Sequence, residues 1–419
     1  MRILWITNIV FPEACALLGG NGTIKGSGGW ILGAAQALVG QPEIQLAVAS
    51  VSTSVDSLTC LNGEKIKYYL LPYGKGNKKI NHEYEPLWKQ VKEAFSPDVV
   101  HIHGTEMTHG LAYIEACGPN NVCVSVQGLI SACYDYYFSG ISNKERRKSI
   151  TLASLFLGSM TKNAQKYRIR GECEKEMIRR VNHIIGRTSW DRERIWSINP
   201  EAKYYTCNET LRSEFYDGQL WKYSDCQKHS IFMSQAGYTI KGLHMLLRAL
   251  PLVLRKYPDT MLRIAGSDMI SCSSFKQRLL LSDYGKLLLQ LINKYNLNGK
   301  VFFTGQLNAE EMRREYLNAN VYVCPSAIEN SPNSLGEAQL LGVPVLASYV
   351  GGIPDLMKGD EEHLYRFEEV EMLAFKLVQL FEQEGAVDTS SMRKLAISRH
   401  DPVSNMKQLL MIYQDLTKV

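Results

Sequence analysis

Two carboxylates eight positions apart, Glu329 and Glu337, flank a short polar loop in SAIENSPNSLGEAQLLGVPVLASYVGGIPDLM. A carboxylate can accept hydrogen bonds from two neighbouring hydroxyls at once, which suits the diol of a ribose or a hexose. The loop between them offers small side chains and amide donors ahead of a helix start, a natural seat for an anion. Two diol-binding carboxylates around an anion site fit a ligand built as sugar, diphosphate and sugar, that is, a nucleotide-sugar. A structural role competes for Glu337. Ser334 stands three residues before it, the S-x-x-E spacing of a capping box, with the helix running through LGEAQLL to a terminal Gly342. Just downstream, Gly351 and Gly352 lack a Cβ and so let a ligand approach the backbone.

Such residues need a scaffold that gathers strand ends and helix starts. Short apolar runs recur along the chain: RILWIT, QLAVAS, IKYYLL, DVVHIH, VCVSVQ and HIIGR first, then SIFMS, MLRIAG, KVFFTG, VYVCP and VPVLAS. Between them lie helical patterns such as KGLHMLLRALPLVLRKY, with apolar residues at three- and four-residue spacing. Apolar strands alternating with helices predict parallel sheets covered on both faces. At 419 residues the chain exceeds one ordinary core. The polar stretch 216–229 divides two such sets, predicting two doubly wound α/β domains with a cleft between them. Ligands of open α/β sheets sit beyond the carboxyl ends of the strands, and Glu329 ends one such strand.

The composition, 45% hydrophobic and 21% charged, is that of a globular protein. Ten cysteines are scattered singly with no C-x-x-C pair, which predicts small buried thiols in a reducing compartment. Nine histidines form no H-x3-H pair, and no structural metal is expected. His101 and His103 are read as alternating on their strand, with only one facing the cleft and both packed and hydrogen-bonded. The opening MRILWITNIVF lacks the pattern of a signal peptide, and no run approaches the ~20 apolar residues of a membrane span. The expected location is the cytoplasm, with peripheral contact to the inner membrane face. Residues 141–180 carry 11 Lys or Arg against 4 Asp or Glu, a net +7 in a chain of +5. That segment is either a solvated helical face or a surface for an anionic partner, acidic lipid or a lipid-diphosphate acceptor. No recognisable nucleic-acid-binding module accompanies it.

The E-x7-E stretch, read with PNSLGEAQLLGVPVLAS and the KG of GYTIKGLHMLLRAL in order, resembles the retaining glycosyltransferases of family 4 (group 1), which have the GT-B fold. GSGGW resembles that family's N-terminal glycine-rich loop, PDVVHIHG its fourth-strand motif, RIAGSD the strand after the KG helix, and VFFTGQLNAEEM its base-binding region. DPVSNMKQLLMIYQDL looks like the last helix, crossing back to the first domain. The resemblance implies an acceptor-binding domain over 1–222, a nucleotide-sugar-binding domain over 223–402 and a returning helix over 403–419. It implies that Glu329 contacts the donor sugar and Glu337 the ribose, that Ser334 and Leu335 offer backbone amides near the diphosphate, and that Asn333 beside them belongs to the donor site. Lys241 would neutralise the diphosphate, Gly28 and Gly29 would close over it, and Gly305 and Gln306 would meet the base. The chain departs from the family twice. The arginine usual five or six residues before the KG lysine is replaced by Gln235 or Ala236, so Arg187 and Arg212 become candidates for a second diphosphate cation, or else structural ion-pair partners. Gln127 stands where a histidine is common near the reacting sugar, and it cannot titrate. There is no D-x-D motif, consistent with transfer that needs no metal or other cofactor.

The implied activity is transfer of a hexose-type sugar from a nucleotide-sugar to a hydroxyl of a saccharide or lipid-linked saccharide, in surface polysaccharide synthesis, with retention of configuration. Alternatives on the same architecture are a nucleotide-sugar 2-epimerase and a non-catalytic sugar-binding subunit. A nicotinamide oxidoreductase is disfavoured because GSGGWILG breaks the G-x-G-x-x-G spacing and follows its strand by some twenty residues.

Overall fold

The computed structural model describes residues 1–20, 29–73, 84–156, 158–271 and 280–418. The chain forms two units, one of Met1–Tyr134, Lys166–Leu211 and Arg399–Val419, the other of Asp135–Gln165 and Arg212–Ser398. Residues 135–165 thus group with the second unit, whereas the sequence reading assigned them to the first.

The first unit carries β1 (Arg2–Thr7), β2 (Gln45–Ser52), β3 (Thr59–Asn62), β4 (Ile66–Pro72), β5 (Val99–His103), β6 (Val122–Ser125), β7 (His183–Gly186) and β8 (Lys203–Thr206). Their order in the sheet is β3-β4-β2-β1-β5-β6-β7-β8, parallel throughout except for the β3–β4 pair. The sheet is buried on both faces, as near-continuous apolar strands require. Leu4 and Ile6 of β1 enter one core cluster with Val100, Ile102 and Val124. Ile3 and Trp5 enter the other, against Leu409, Ile412, Tyr413 and Leu416 of the Pro402–Leu416 helix. The Trp5 indole N–H donates to the Tyr413 hydroxyl at 2.9 Å, so the last helix is fixed to this sheet by packing and by a buried hydrogen bond.

His101 and His103 correct the alternation expected of them. Residues two apart on a strand share a face, and the two rings stack with centroids 3.7 Å apart. His101 bonds the Tyr413 hydroxyl through Nδ1 at 2.6 Å and Ser125 through Nε2. His103 is packed but, among the described residues, finds no hydrogen-bond partner for either ring nitrogen. Burial drives the His101 pKa down to about 3, and that of His103 well below its ordinary value.

The second unit carries β9 (Gln227–Met233), β10 (Met261–Ile264), β11 (Val301–Phe303), β12 (Ala319–Cys324), β13 (Val345–Ser348) and β14 (Leu364–Tyr365). All neighbours are parallel, in the order β11-β10-β9-β12-β13-β14. The chain leaves β9 toward β10 and β11, then returns to β12 on the other side. The β9/β12 boundary is therefore the switch point, where open sheets hold ligands.

All described cysteines are free thiols. Cys123, Cys226 and Cys324 are buried, but Cys60 is exposed and the rest lie between, so the expectation of buried thiols holds for only part of the set. Among the described residues, no helix is long and apolar enough to cross a membrane.

Candidate functional site

Lys241 and Glu329 meet at this switch point. After β9, the turn Thr239–Lys241 leads through Gly242 into the helix Leu243–Leu254. The Ala327 amide, in the segment leaving β12, donates to the Ile240 carbonyl at 2.7 Å. Gly242 sits at φ +73°, and a Cβ there would come 1.7 Å from the Pro325 carbonyl oxygen. A side chain would collide with backbone, so the lysine–glycine order is a packing requirement of the site. Lys241 Nζ then reaches Glu329 Oε1 at 2.6 Å, with the two side chains 16% and 14% exposed. The Ser326 hydroxyl donates to the same oxygen at 2.7 Å. Burial opposes the lysine's charge, but the Glu329 carboxylate and the nearby Tyr238 outweigh it and hold the ammonium well above its ordinary pKa. Glu329 Oε2 makes no hydrogen bond among the described residues and is available to a hydroxyl donor.

The glycine pair corrects a second expectation. Gly351, at φ +53°, packs on protein: a Cβ would lie 1.9 Å from the Glu329 carbonyl oxygen. The Gly352 amide donates to that same oxygen at 3.0 Å. These glycines seat the backbone of Glu329.

No capping box forms around Glu337. The helix begins at Asn333 with Pro332 as its N-cap, which puts Ser334 and Glu337 inside it, out of register for reciprocal capping. Its end at Gly342, φ +76°, is where the sequence predicted it. Glu337 is 5% exposed, and its Oε1 accepts from Arg212 Nη2 at 2.8 Å and Nε at 2.9 Å. Burial pushes its carboxyl pKa up, and Arg212 pulls it back. The Tyr316 hydroxyl donates to the Ser334 carbonyl at 2.9 Å and lies 3.4 Å from Glu337 Oε2. The Ser334 hydroxyl accepts from Tyr322 at 2.9 Å. The Leu335 amide already donates to the Pro332 carbonyl at 3.0 Å, which occupies one of the two amides assigned to the diphosphate. Asn333 opens the helix, half-buried.

Gly305, at φ +81°, has open space where a Cβ would stand, and its carbonyl accepts from the Gly266 amide at 2.9 Å. Gln306 beside it is exposed. Gly29 is the first residue of the helix Gly29–Val39, and Gly28 lies outside the described residues.

At the strand ends of the first unit, Gln127 follows β6, and its carbonyl accepts from Arg187 Nη2 at 2.9 Å. Arg187 also holds Glu209 at 3.0 Å, the two side chains 5% and 9% exposed. Both arginines proposed as spare cations are therefore committed to carboxylates. Sequence reasoning missed a second acidic pair here. Glu106 follows β5 and accepts from Asn8 Nδ2 at 3.1 Å and the Gly128 amide at 3.3 Å. Glu174 is fully buried on the amides of Ile130 and Ser131, at 3.1 and 2.7 Å. Burial pushes Glu106 up to about 7, with the Glu174 charge adding to the rise. The signal available in the sequence was a glutamate just past the apolar run DVVHIH.

Among the described residues, the three donors close enough to share a metal are Asp360, Glu362 and His363, within 4.8 Å of one another. Asp360 already bonds His363 Nδ1 at 2.7 Å.

Comparison with known proteins bears on the fold and on the second half of the chain. Sucrose-phosphate synthase from Thermosynechococcus elongatus superposes over 99% of this chain and 98% of its own, with a TM-score of 0.72 at 16% identity. Anabaena HepE, solved with UDP and glucose, covers 98% of each chain at TM-score 0.65 and 16% identity. The fold is GT-B. Residues 224–399 match the family described as glycosyl transferases group 1. An uncharacterized glycosyltransferase of Methanocaldococcus jannaschii is 31% identical over 134 residues, 32% of this chain and 30% of that protein. The chain spans less than half the length of the curated relatives it matches.

Proposed function

We propose that this protein is a retaining glycosyltransferase that moves a hexose-type sugar from a nucleotide-sugar to a hydroxyl of a saccharide or lipid-linked saccharide, serving surface polysaccharide synthesis. The observation that carries the reading is the Lys241–Glu329 pair, held at 2.6 Å where β9 and β12 diverge, with one carboxylate oxygen left open. In this reading, Lys241 balances the donor diphosphate. Glu329 Oε2 accepts from the sugar's hydroxyls, and Glu337, with Arg212 fixing its Oε1, presents its remaining oxygen to the ribose. The open Gly305 and exposed Gln306 border the base. The UDP bound by HepE supports a nucleotide-sugar donor.

The bond from the anomeric carbon to the departing phosphate oxygen breaks, and the acceptor oxygen forms its bond on the same face. The acceptor proton goes to the leaving phosphate. Charge that grows on the diphosphate is stabilised by preorganised cations and dipoles. Arg187 and Arg212 are engaged elsewhere, so Lys241 and the start of the Asn333–Leu341 helix carry this work, and no metal is required. Incubation with UDP-, GDP- and ADP-linked hexoses, in EDTA and with saccharide acceptors, tests the reading. Release of nucleoside diphosphate together with a glycosylated product supports it. Isomerised donor without acceptor would indicate an epimerase, and no turnover of any donor would leave a binding subunit.

A further inference from the structure

The excess positive charge of residues 141–180 divides in two. Along the helix Met160–Arg180, the later basic residues meet acids: Lys175 with Glu172 at 3.1 Å, Arg180 with Glu176 at 2.7 Å and with Glu115 at 3.4 Å. No ion pair among the described residues takes up Lys144, Arg146, Arg147 or Lys148, all within the helix Asn143–Lys148 or its first turn. The acid among them, Glu145, is turned to Arg248 at 2.8 Å and caps the helix through Ser142.

Beside this helix lies a cavity of about 960 Å³, counted out to open solvent, lined by Asn143, Arg146, Arg147, Ser159, Thr161 and Lys162. Among the described residues, Asp283 is the one acid in its wall, and its oxygens are spent on the amides of Met160 and Tyr284, at 2.5 and 3.0 Å. Arg146 is held in place by the Phe138 ring, 3.7 Å away, and by the Asn143 and Thr161 side chains, each at 3.3 Å. Ile150, in the cavity's lining, is 51% exposed, and Leu152, two residues on, is 63% exposed, although the Ile150 carbonyl is fixed by Lys286 at 2.8 Å. Guanidinium groups, an ammonium and hydroxyls around a cavity, with aliphatic side chains at its edge, are complementary to a phosphate headgroup whose acyl chains lie alongside.

We propose that this cavity of the second unit seats the phosphate of an anionic phospholipid at a bilayer surface, with Ile150 and Leu152 entering the acyl boundary. The surface extends the reading of a lipid-borne acceptor, and its failure is separable because nucleoside-diphosphate binding is measured on the same protein.

The test is flotation of the full chain with vesicles of phosphatidylcholine alone, and of phosphatidylcholine with one-third phosphatidylglycerol. Binding is expected only to the anionic vesicles. Each basic residue near such a surface contributes about fivefold in affinity, so the double substitution Arg147→Gln with Lys148→Gln should weaken binding about thirtyfold. Ile150→Ser with Leu152→Ser should weaken it at least tenfold. Neither double variant should change the melting temperature or nucleoside-diphosphate affinity. Wild-type protein that ignores anionic vesicles, or binds neutral ones equally, overturns the proposal. So does a charge variant that binds like wild type. Binding that survives loss of both aliphatic side chains but is displaced by millimolar pyrophosphate would assign the cavity to a soluble phosphate and overturn the bilayer as its occupant.

Discussion

Arg212 grips Glu337 through two nitrogens on one oxygen, Nη2 at 2.8 Å and Nε at 2.9 Å, across 125 positions of sequence. The arginine thus orients the glutamate proposed to meet the ribose, and does not stand free for the diphosphate. Removing one member of a buried pair leaves the other uncompensated, which costs about 3–5 kcal/mol. Arg212→Met should lower the melting temperature sharply and weaken nucleotide binding. The pair Arg212→Met with Glu337→Gln should recover most of the stability but not the affinity. A double-mutant cycle by thermal melts and calorimetry checks this, and simple additivity in stability would contradict it.

Lys241→Met removes the cation at the switch point. We expect nucleoside-diphosphate affinity to fall about a hundredfold, the scale of truncating a buried charged hydrogen-bonding group. The raised pKa of Lys241 fixes the pH behaviour. A lysine whose folded pKa exceeds its unfolded value contributes stability in full below the unfolded value, and that contribution is lost as pH rises through the folded one. Binding that depends on its charge should therefore be flat from pH 6 to 9, as titrations at several pH values would show.

Gly242→Ala tests the geometry behind the lysine. The left-handed backbone and the 1.7 Å approach to the Pro325 carbonyl oxygen leave no room for a methyl group. A loss of at least about 2 kcal/mol is expected, with nucleotide affinity falling too because the turn carrying Lys241 must shift. Denaturant melts alongside calorimetry separate the two effects. Unchanged stability would mean the close approach is not maintained.

Glu106, pushed up to about 7 by burial, makes a pH prediction in the opposite sense from an ion-paired acid. The folded state holds a proton that the unfolded state has released, so stability falls as pH rises from the ordinary carboxyl range to about 7. Glu106→Gln should flatten that part of the profile and raise the melting temperature at pH 8 by a few degrees relative to wild type. Thermal melts from pH 4.5 to 8.5 measure it.

Much of the scaffold was legible because its strands are continuous apolar runs, and RILWIT and VYVCP could hardly be anything else. The strands that escaped notice are short or polar: TCLN pairs at one edge, KYYT at the other, and LY spans two residues. The capping box misled because Ser334 and Glu337 have the right spacing, yet the N-cap falls at Pro332, two residues before Ser334. Lys241 and Glu329 could be assigned to one site only by resemblance, since contact between them depends on β9 and β12 lying side by side in the sheet. The Arg212–Glu337 and Arg187–Glu209 pairs had no local signature at all.

The most direct test of the donor site is calorimetric titration of the wild-type protein with UDP, GDP, ADP and NAD, in EDTA, repeated with Lys241→Met. The account predicts micromolar binding of one nucleoside diphosphate without metal, weakened about a hundredfold by the substitution. Binding of NAD alone, or nucleoside-diphosphate binding indifferent to Lys241, would contradict it.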